Sequence, residues 1–249
     1  ENRISVTKCI DALEAGGRGV ISVAVACGVA GIISGSITMT GLANDLINGI
    51  ISVANGKLII ALLLTMLCCI VLGMGVPTTA NYCIMAATCA PILMNEEIGI
   101  PMLAAHFFVF YFGIVADITP PVALAAYAGS AISGGDPLKT GVNASKLGIA
   151  AFIIPYVFVL SPQLLGIGAT FGSVLFTTCT AIIGMTGISG AMIGQFYCKA
   201  NVFERLLLLA GGLCLIDPHT LTDIIGVAIL AGVFALQYFR TKKAKAAEA

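Results

Sequence analysis

The chain has 249 residues, of which 10% are charged and 59% apolar, with a mean hydropathy of +1.05 and a formal net charge of zero. A soluble domain carries roughly a quarter of its residues as charges, so lipid must cover most of this surface. The same balance excludes a nucleic-acid binder, because no basic face is on offer. The nine cysteines form no C-x-x-C pair, and Cys27, Cys68, Cys69, Cys83, Cys89, Cys179 and Cys214 lie within apolar runs. They read as small apolar core residues rather than as a zinc or disulfide framework.

In chain order, residues 1–18 read as a cytoplasmic amphipathic lead-in. The sequence opens on Glu1 with neither an initiator Met nor a signal peptide, so an upstream portion is expected and the chain reads as the C-terminal part of a longer protein. Charge-free windows follow at 19–44, 58–95, 118–135 and 147–198. A spanning helix needs about 20 residues, and 19–39 supplies one. Residues 147–165 and 172–195 supply two more, divided by Ser161-Pro162 and Gly166-Ile167-Gly168. The stretch 202–216 is short and opens on Glu204 and Arg205, and 224–239 closes the set ahead of a basic tail. Glycine runs such as Gly28 to Gly35 predict close helix packing.

Two windows are interrupted. Residues 58–94 split at Gly73-Met74-Gly75-Val76-Pro77-Thr78-Thr79 into arms too short to cross comfortably. Pro77 has no N–H to donate, and irregular backbone at membrane depth survives only where protein or a wet cavity surrounds it. A re-entrant hairpin fits. Residues 101–133 break at Asp117-Ile118-Thr119-Pro120-Pro121, where two prolines cannot continue the helical ladder; this reads as one helix unwound in its middle. With a cytoplasmic N-terminus, this layout puts eleven basic residues inside, from Arg3, Lys8 and Arg18 through Lys139, Lys146, Lys199 and Arg205 to Arg240, Lys242, Lys243 and Lys245. Only Lys57 falls outside, with Asp45, Glu96, Glu97, Asp217 and Asp223. That asymmetry supports the layout, with both ends of the chain cytoplasmic; two full crossings through 58–95 would leave the same count, and only the short arms favour the hairpin.

Asp117 is the one acidic residue placed deep in the membrane, and a carboxylate there costs at least a few kcal/mol unless paired, hydrated or bound to a cation. A protonated Asp bonded within the unwound turn is the alternative. Thr119 and carbonyls freed by Pro120 and Pro121 add hard oxygen ligands. The hairpin tip offers a like set in Thr78, Thr79, Asn81 and the carbonyls of Gly73, Gly75 and Val76. Broken helices bind sodium with such groups, and the helix beginning near Thr78 would aim its positive end at an anionic solute. Thr78 and Asn81 are therefore also candidate substrate ligands, although all three polar residues could simply cap a helix. His106, in an aromatic stretch, reads as a packed residue with proton relay as the alternative. His219 reads as a solvated loop residue. Gly187-Ile188-Ser189-Gly190 matches a G-x-S-G form found around intramembrane serine nucleophiles, but lacks a partner base. No repeated filter motif or charged ring suggests a channel. No catalytic residue, organic cofactor, or metal beyond sodium is expected.

The run Leu72 to Asn81 reads L-G-M-G-V-P-T-T-A-N; Ala90-Pro-Ile-Leu93, His106-Phe107 and Ile118-Thr-Pro-Pro-Val122 follow. Together these resemble the large membrane (DctM-like) subunit of TRAP transporters, in wording closest to the fused permeases that serve TAXI-type binding proteins. The likeness runs from about Arg18 to Leu165, and 166–249 resembles the extra C-terminal helices and basic cytoplasmic tail of the fused form. It implies an all-α, elevator-type membrane transporter with two inverted repeats, each with a hairpin and a broken helix. Residues 19–165 would form the second repeat: a span, the hairpin 58–94, the broken helix 101–133 and the span 147–165. It also implies sodium as the coupling ion, held by Gly73, Gly75, Thr78, Thr79 and Asn81 at the hairpin, where the Val76 carbonyl read above joins them, and by Asp117, Thr119 and Pro120 at the broken helix. The implied partners are an extracytoplasmic TAXI-type solute-binding protein, a small membrane subunit or its fused equivalent, and an organic acid. The implied location is the bacterial or archaeal cytoplasmic membrane. Proton coupling through Asp117 and His106, and an intramembrane serine protease built on Ser189, are the alternatives.

Overall fold

The computed structural model describes residues 5–217 and 219–248, so Arg3 and Pro218, like the side chains of Lys243 and Lys245, lie outside it. Among the described residues every named element is helical, as the composition requires of a chain with no water to satisfy its backbone. Three helices are long and apolar enough to cross a bilayer, or four if a bent pair counts as one span.

Ser5 opens α1 (Val6–Met39) by accepting from the Lys8 N–H at 3.3 Å. The helix runs without interruption through residue 18, so it does not divide at the lead-in boundary. Near its end Ser36, Thr38 and Thr40 donate back to carbonyls four residues earlier, a pattern that bends helices. Gly41, at φ 76°, then turns the chain into α2 (Leu42–Ala54), and the two helices meet at 67°. The sequence reading leaves α2 unassigned because Asn44, Asp45, Asn48 and Gly49 interrupt its apolar residues. In fact Leu46, Ile47 and Ile50 share one face and pack on the core.

The chain then forms α3 (Leu58–Gly73), a turn, α4 (Thr78–Thr88) and the short α5 (Ala90–Met94). At α5 the Leu93 carbonyl accepts from the Ile100 N–H at 3.1 Å and turns the chain into α6 (Met102–Val115). Helix α6 is the centre of the fold. Ala104, Ala105, Phe108, Val109 and Phe112 are buried, and Phe108 and Phe112 set their rings edge-on to Tyr156 at 5.3 and 5.8 Å. Leu62, Cys69, Met85 and Leu93 close the same core from α3, α4 and α5.

After α7 (Leu124–Ser133), Asp136 accepts from the Lys139 N–H at 2.9 Å and Pro137 takes the first helical position, a strong helix start. Helices α8 (Pro137–Leu147) and α9 (Ile149–Leu160) run on as one 24-residue candidate span. The sequence reading places this span at 147–165. In the structure it begins and ends earlier, because Asp136-Pro137 nucleates it and Ser161-Pro162 stops it, and Lys139 and Lys146 lie on the helix itself.

The last three helices are α10 (Phe171–Ile193), α11 (Val202–Cys214) and α12 (Thr220–Glu248). Glycines let them touch backbone to backbone. A Cβ on Gly212 would lie 2.6 Å from Ile188 and 2.7 Å from the Gly184 carbonyl. Small-residue packing therefore occurs here and not on α1, where Gly28, Gly31 and Gly35 have nothing within 4 Å. Among the described residues, no other element lies within 4 Å of where a Cβ on these three glycines would stand.

One end of this trio is clamped by polar groups. The fully buried Gln237 accepts from the N–H groups of Tyr197 and Cys198 at 2.9 and 3.2 Å and donates to Glu204 at 2.8 Å. Glu204 also pairs with Arg240 at 2.9 Å. Gln237→Leu would strand the two backbone donors, each unsatisfied group costing ~1–3 kcal/mol, while Glu204 keeps its bonds from the Asn201 N–H and Arg240. A loss of about 2–4 kcal/mol in chemical unfolding of the purified protein is expected, and an unchanged midpoint would refute the clamp.

Candidate functional site

The two breaks meet. Gly73 ends α3, and a Cβ there would lie 2.8 Å from Asn81 Nδ2, 3.0 Å from Ala116 Cβ and 3.2 Å from the Gly113 carbonyl. The hairpin tip is thus in van der Waals contact with the C-terminal end of α6, just where that helix begins to unwind. Asn81 ties them: its Nδ2 donates to the Gly113 carbonyl at 3.0 Å across 32 residues of sequence. Gly113 is as necessary as Gly73, since a Cβ there would lie 3.1 Å from both Asn81 Nδ2 and Met85 Sδ.

Asn81 is 1% exposed, yet its Oδ1 has no hydrogen-bond partner. An unsatisfied buried acceptor is rare and costs ~1–3 kcal/mol. A hard carbonyl-type oxygen beside two unwound segments is what a desolvated cation needs.

The tip turns through Gly75 at φ +77°, a conformation that L side chains rarely adopt. It faces two ways. Gly73 and Asn81 point into α6, whereas Gly75, Thr78 and Thr79 are exposed. Val76 packs towards α1 with Ala30, Ala80 and Ile84. Thr78 and Thr79 form the open first turn of α4, where the backbone N–H groups lack a side-chain cap and remain available to an anion.

On the other side, α6 tightens into a 3₁₀ turn at Ala116–Ile118, Pro120–Pro121 is a cis peptide, and Ala123 takes φ 33° before α7 starts. The freed carbonyls are fewer than the sequence predicts. Val115 O accepts from Thr119 Oγ1 at 2.6 Å, Ala116 O from the Thr119 N–H at 3.2 Å, and Ile118 O from Ser145 Oγ at 2.9 Å. Tyr127 Oη donates to Pro121 O at 2.5 Å. The carbonyl of Asp117 is different: the residues three and four ahead are Pro120 and Pro121, neither with an N–H to offer. Asp117 itself is half-buried, and the two ion pairs of the described residues, Arg18–Glu14 and Arg240–Glu204, leave it out. Thr119 and Pro120 are also half-buried.

Helix α8 supports this break from behind, which the sequence reading missed. A Cβ on Gly141 would lie 3.2 Å from Pro120 and 3.3 Å from Ala123, and one on Gly148 would lie 2.7 Å from Ile118. The signal was present in the seven-residue spacing of Gly141 and Gly148, two turns apart on one face.

The alternative chemistries are placed elsewhere. His106 Nδ1 shares a 3.0 Å hydrogen bond with Tyr82 Oη, and the rings meet edge-on. Eleven residues of helix separate His106 from Asp117, about 16 Å at 1.5 Å per residue. Ser189 lines an apolar groove between α9 and α10, and no described histidine or acid is hydrogen-bonded to it. His219 is exposed beyond α11. Among the described residues no three His, Cys, Asp or Glu side chains gather as a metal site.

No curated protein and no solved structure matched the chain. A family model did: residues 1–173 match the DctM component of the tripartite ATP-independent periplasmic transporters. Both breaks, the contact between them and the α8 support lie inside that match. The chain therefore belongs to the DctM family, and is a membrane component of a TRAP-type transporter.

Proposed function

We propose that this chain takes part in sodium-coupled uptake of an organic acid delivered by an extracytoplasmic solute-binding protein. Family membership implies such a protein and a small membrane subunit as partners; the wording of the sequence favours the TAXI type, with the small subunit present as its fused equivalent. The setting would be the bacterial or archaeal inner membrane, with both ends of the chain cytoplasmic. One observation carries the sodium reading. The buried Asn81 oxygen has no partner at the junction of two broken segments, and Asp117 stands at the end of the same helix stretch with neither a cationic side chain nor a neighbouring N–H for its carbonyl.

In this reading sodium is held among Gly73, Gly75, Val76, Thr78, Thr79 and Asn81 on the hairpin side and Asp117, Thr119 and Pro120 on the other. Bound sodium would supply the partner that Asn81 Oδ1 lacks and fix the two tips against each other. The exposed first turn of α4, with Thr78, would meet the solute carboxylate. Each sodium entering down 100 mV yields ~2.3 kcal/mol from voltage alone, so two ions would support substantial accumulation. The roughly 16 Å between His106 and Asp117 weighs against a direct proton relay between them.

The test is uptake by the complete transporter in proteoliposomes with its binding protein. An inward sodium gradient should drive accumulation of a labelled carboxylate, and collapsing that gradient should abolish it. Uptake driven equally well by a pH gradient without sodium would transfer the coupling to protons.

A further inference from the structure

A second polar site lies away from the two breaks, where the end of α9, the first turns of α10 and the α11–α12 turn come together. Asp217 and Asp223 both face a cavity of about 190 Å³ there. Ser161, Thr177 and Thr180 line it with them, and Phe176, Leu215 and Ile216 close it. No basic side chain contributes, and neither aspartate has an ion pair among the described residues.

Helix capping accounts for only part of this arrangement. Asp223 sits in the first turn of α12, where the helix dipole favours a negative charge. Asp217 precedes the helix, and its carbonyl, not its carboxylate, accepts from the His219 N–H and the Thr222 hydroxyl. Ser161 is the independent observation. It is 3% exposed and lines the cavity, and its Oγ has no hydrogen-bond partner. Thr180 Oγ1 spends its proton on the Thr177 carbonyl at 3.1 Å, so the lone pairs are left to accept. The cavity thus presents oxygen acceptors and two carboxyl groups of like charge, whose repulsion is relieved by a cation between them or by a proton on one of them.

The structure assigns this cavity as a binding site for a hard divalent cation of the calcium class. Two carboxylates balance a double positive charge. Their four oxygens, with the hydroxyls of Ser161, Thr177 and Thr180, reach the six to eight oxygen ligands that calcium takes. A bound ion would tie the α11–α12 turn to α9 and α10. The site is independent of the sodium reading, since it shares no residue with the α3–α6 junction.

The test is a calcium titration of the purified full chain in detergent, read by equilibrium binding of radiolabelled calcium and by thermal unfolding. Wild type should show one saturable site and a calcium-dependent rise in unfolding temperature. Asp217→Asn and Asp223→Asn should each weaken binding about tenfold or more, and Ser161→Ala several-fold, while Asp117→Asn leaves it unchanged. Ser161→Ala separates ligation from packing, because removing an unsatisfied hydroxyl should not destabilise the calcium-free protein. Absence of saturable calcium binding by folded wild type would mean that water alone fills the cavity, and would overturn the assignment. So would unaltered binding in the doubly substituted aspartate variant, or saturation by sodium as readily as by calcium.

Discussion

Replacing Asp117 with Asn should raise the sodium concentration for half-maximal uptake by about thirtyfold, with no comparable loss of stability in the purified protein. A carboxylate and a monovalent cation about 4 Å apart attract by ~4 kcal/mol at an effective dielectric near 20. If half of that survives desolvation, ~2 kcal/mol remains, close to thirtyfold in affinity. Asn keeps the size of the side chain and the ability to bond within the turn. The fold at the break does not depend on the charge, because Thr119, Ser145 and Tyr127 hold the neighbouring carbonyls. Asp117→Glu restores the charge on a longer arm and should fall between the two. Uptake that collapses in Asp117→Asn with an unmoved sodium dependence would locate the residue outside the sodium site, and make it a proton carrier or a structural residue.

Much of the architecture is legible in the sequence, and the reasons are local. Gly-x-Gly-x-Pro and Asp-x-x-Pro-Pro interrupt apolar runs because no regular helix can pass through them, and the structure breaks α3 from α4 and α6 from α7 at those places. Helix α2 is hard to read because Asn44, Asp45 and Asn48 interrupt its apolar residues, whose periodicity shows only on one face. The start of α8 is hidden in hydropathy because Lys139, Asn143 and Lys146 outweigh the signal of Asp136-Pro137, a cap followed by a proline. What no window of sequence could give is the meeting of the breaks. The Asn81–Gly113 bond spans 32 residues, and the orphaned oxygen on Asn81 appears only once its burial is known. Composition also could not say which glycines pack: a Cβ on Gly28, Gly31 or Gly35 of α1 would meet nothing within 4 Å, while one on Gly73, Gly113 or Gly148 would lie within 3.2 Å of another group.

The contact between the breaks should be highly sensitive to one methyl group. Gly73→Ala would place its Cβ 2.8 Å from Asn81 Nδ2 and 3.0 Å from Ala116 Cβ, closer than carbon and nitrogen tolerate. Asn81 cannot swing aside without giving up its bond to Gly113, and Ala116 is buried. The tips must therefore separate, at an overpacking cost of ~1–3 kcal/mol, and any ion held between them loses its geometry. Gly31→Ala is the matched control, a helical glycine with nothing within 4 Å, where alanine should be neutral or stabilise by up to ~1 kcal/mol. Gly73→Ala should accordingly lower both the unfolding midpoint and sodium-driven uptake, and Gly31→Ala neither. Asn81→Ala combined with Gly73→Ala should recover part of the lost stability, since it removes the atom nearest the new methyl, but should not recover uptake. Equal behaviour of the two glycine variants would show that hairpin and broken helix do not touch in the folded protein, and the sodium site would lose its geometric basis.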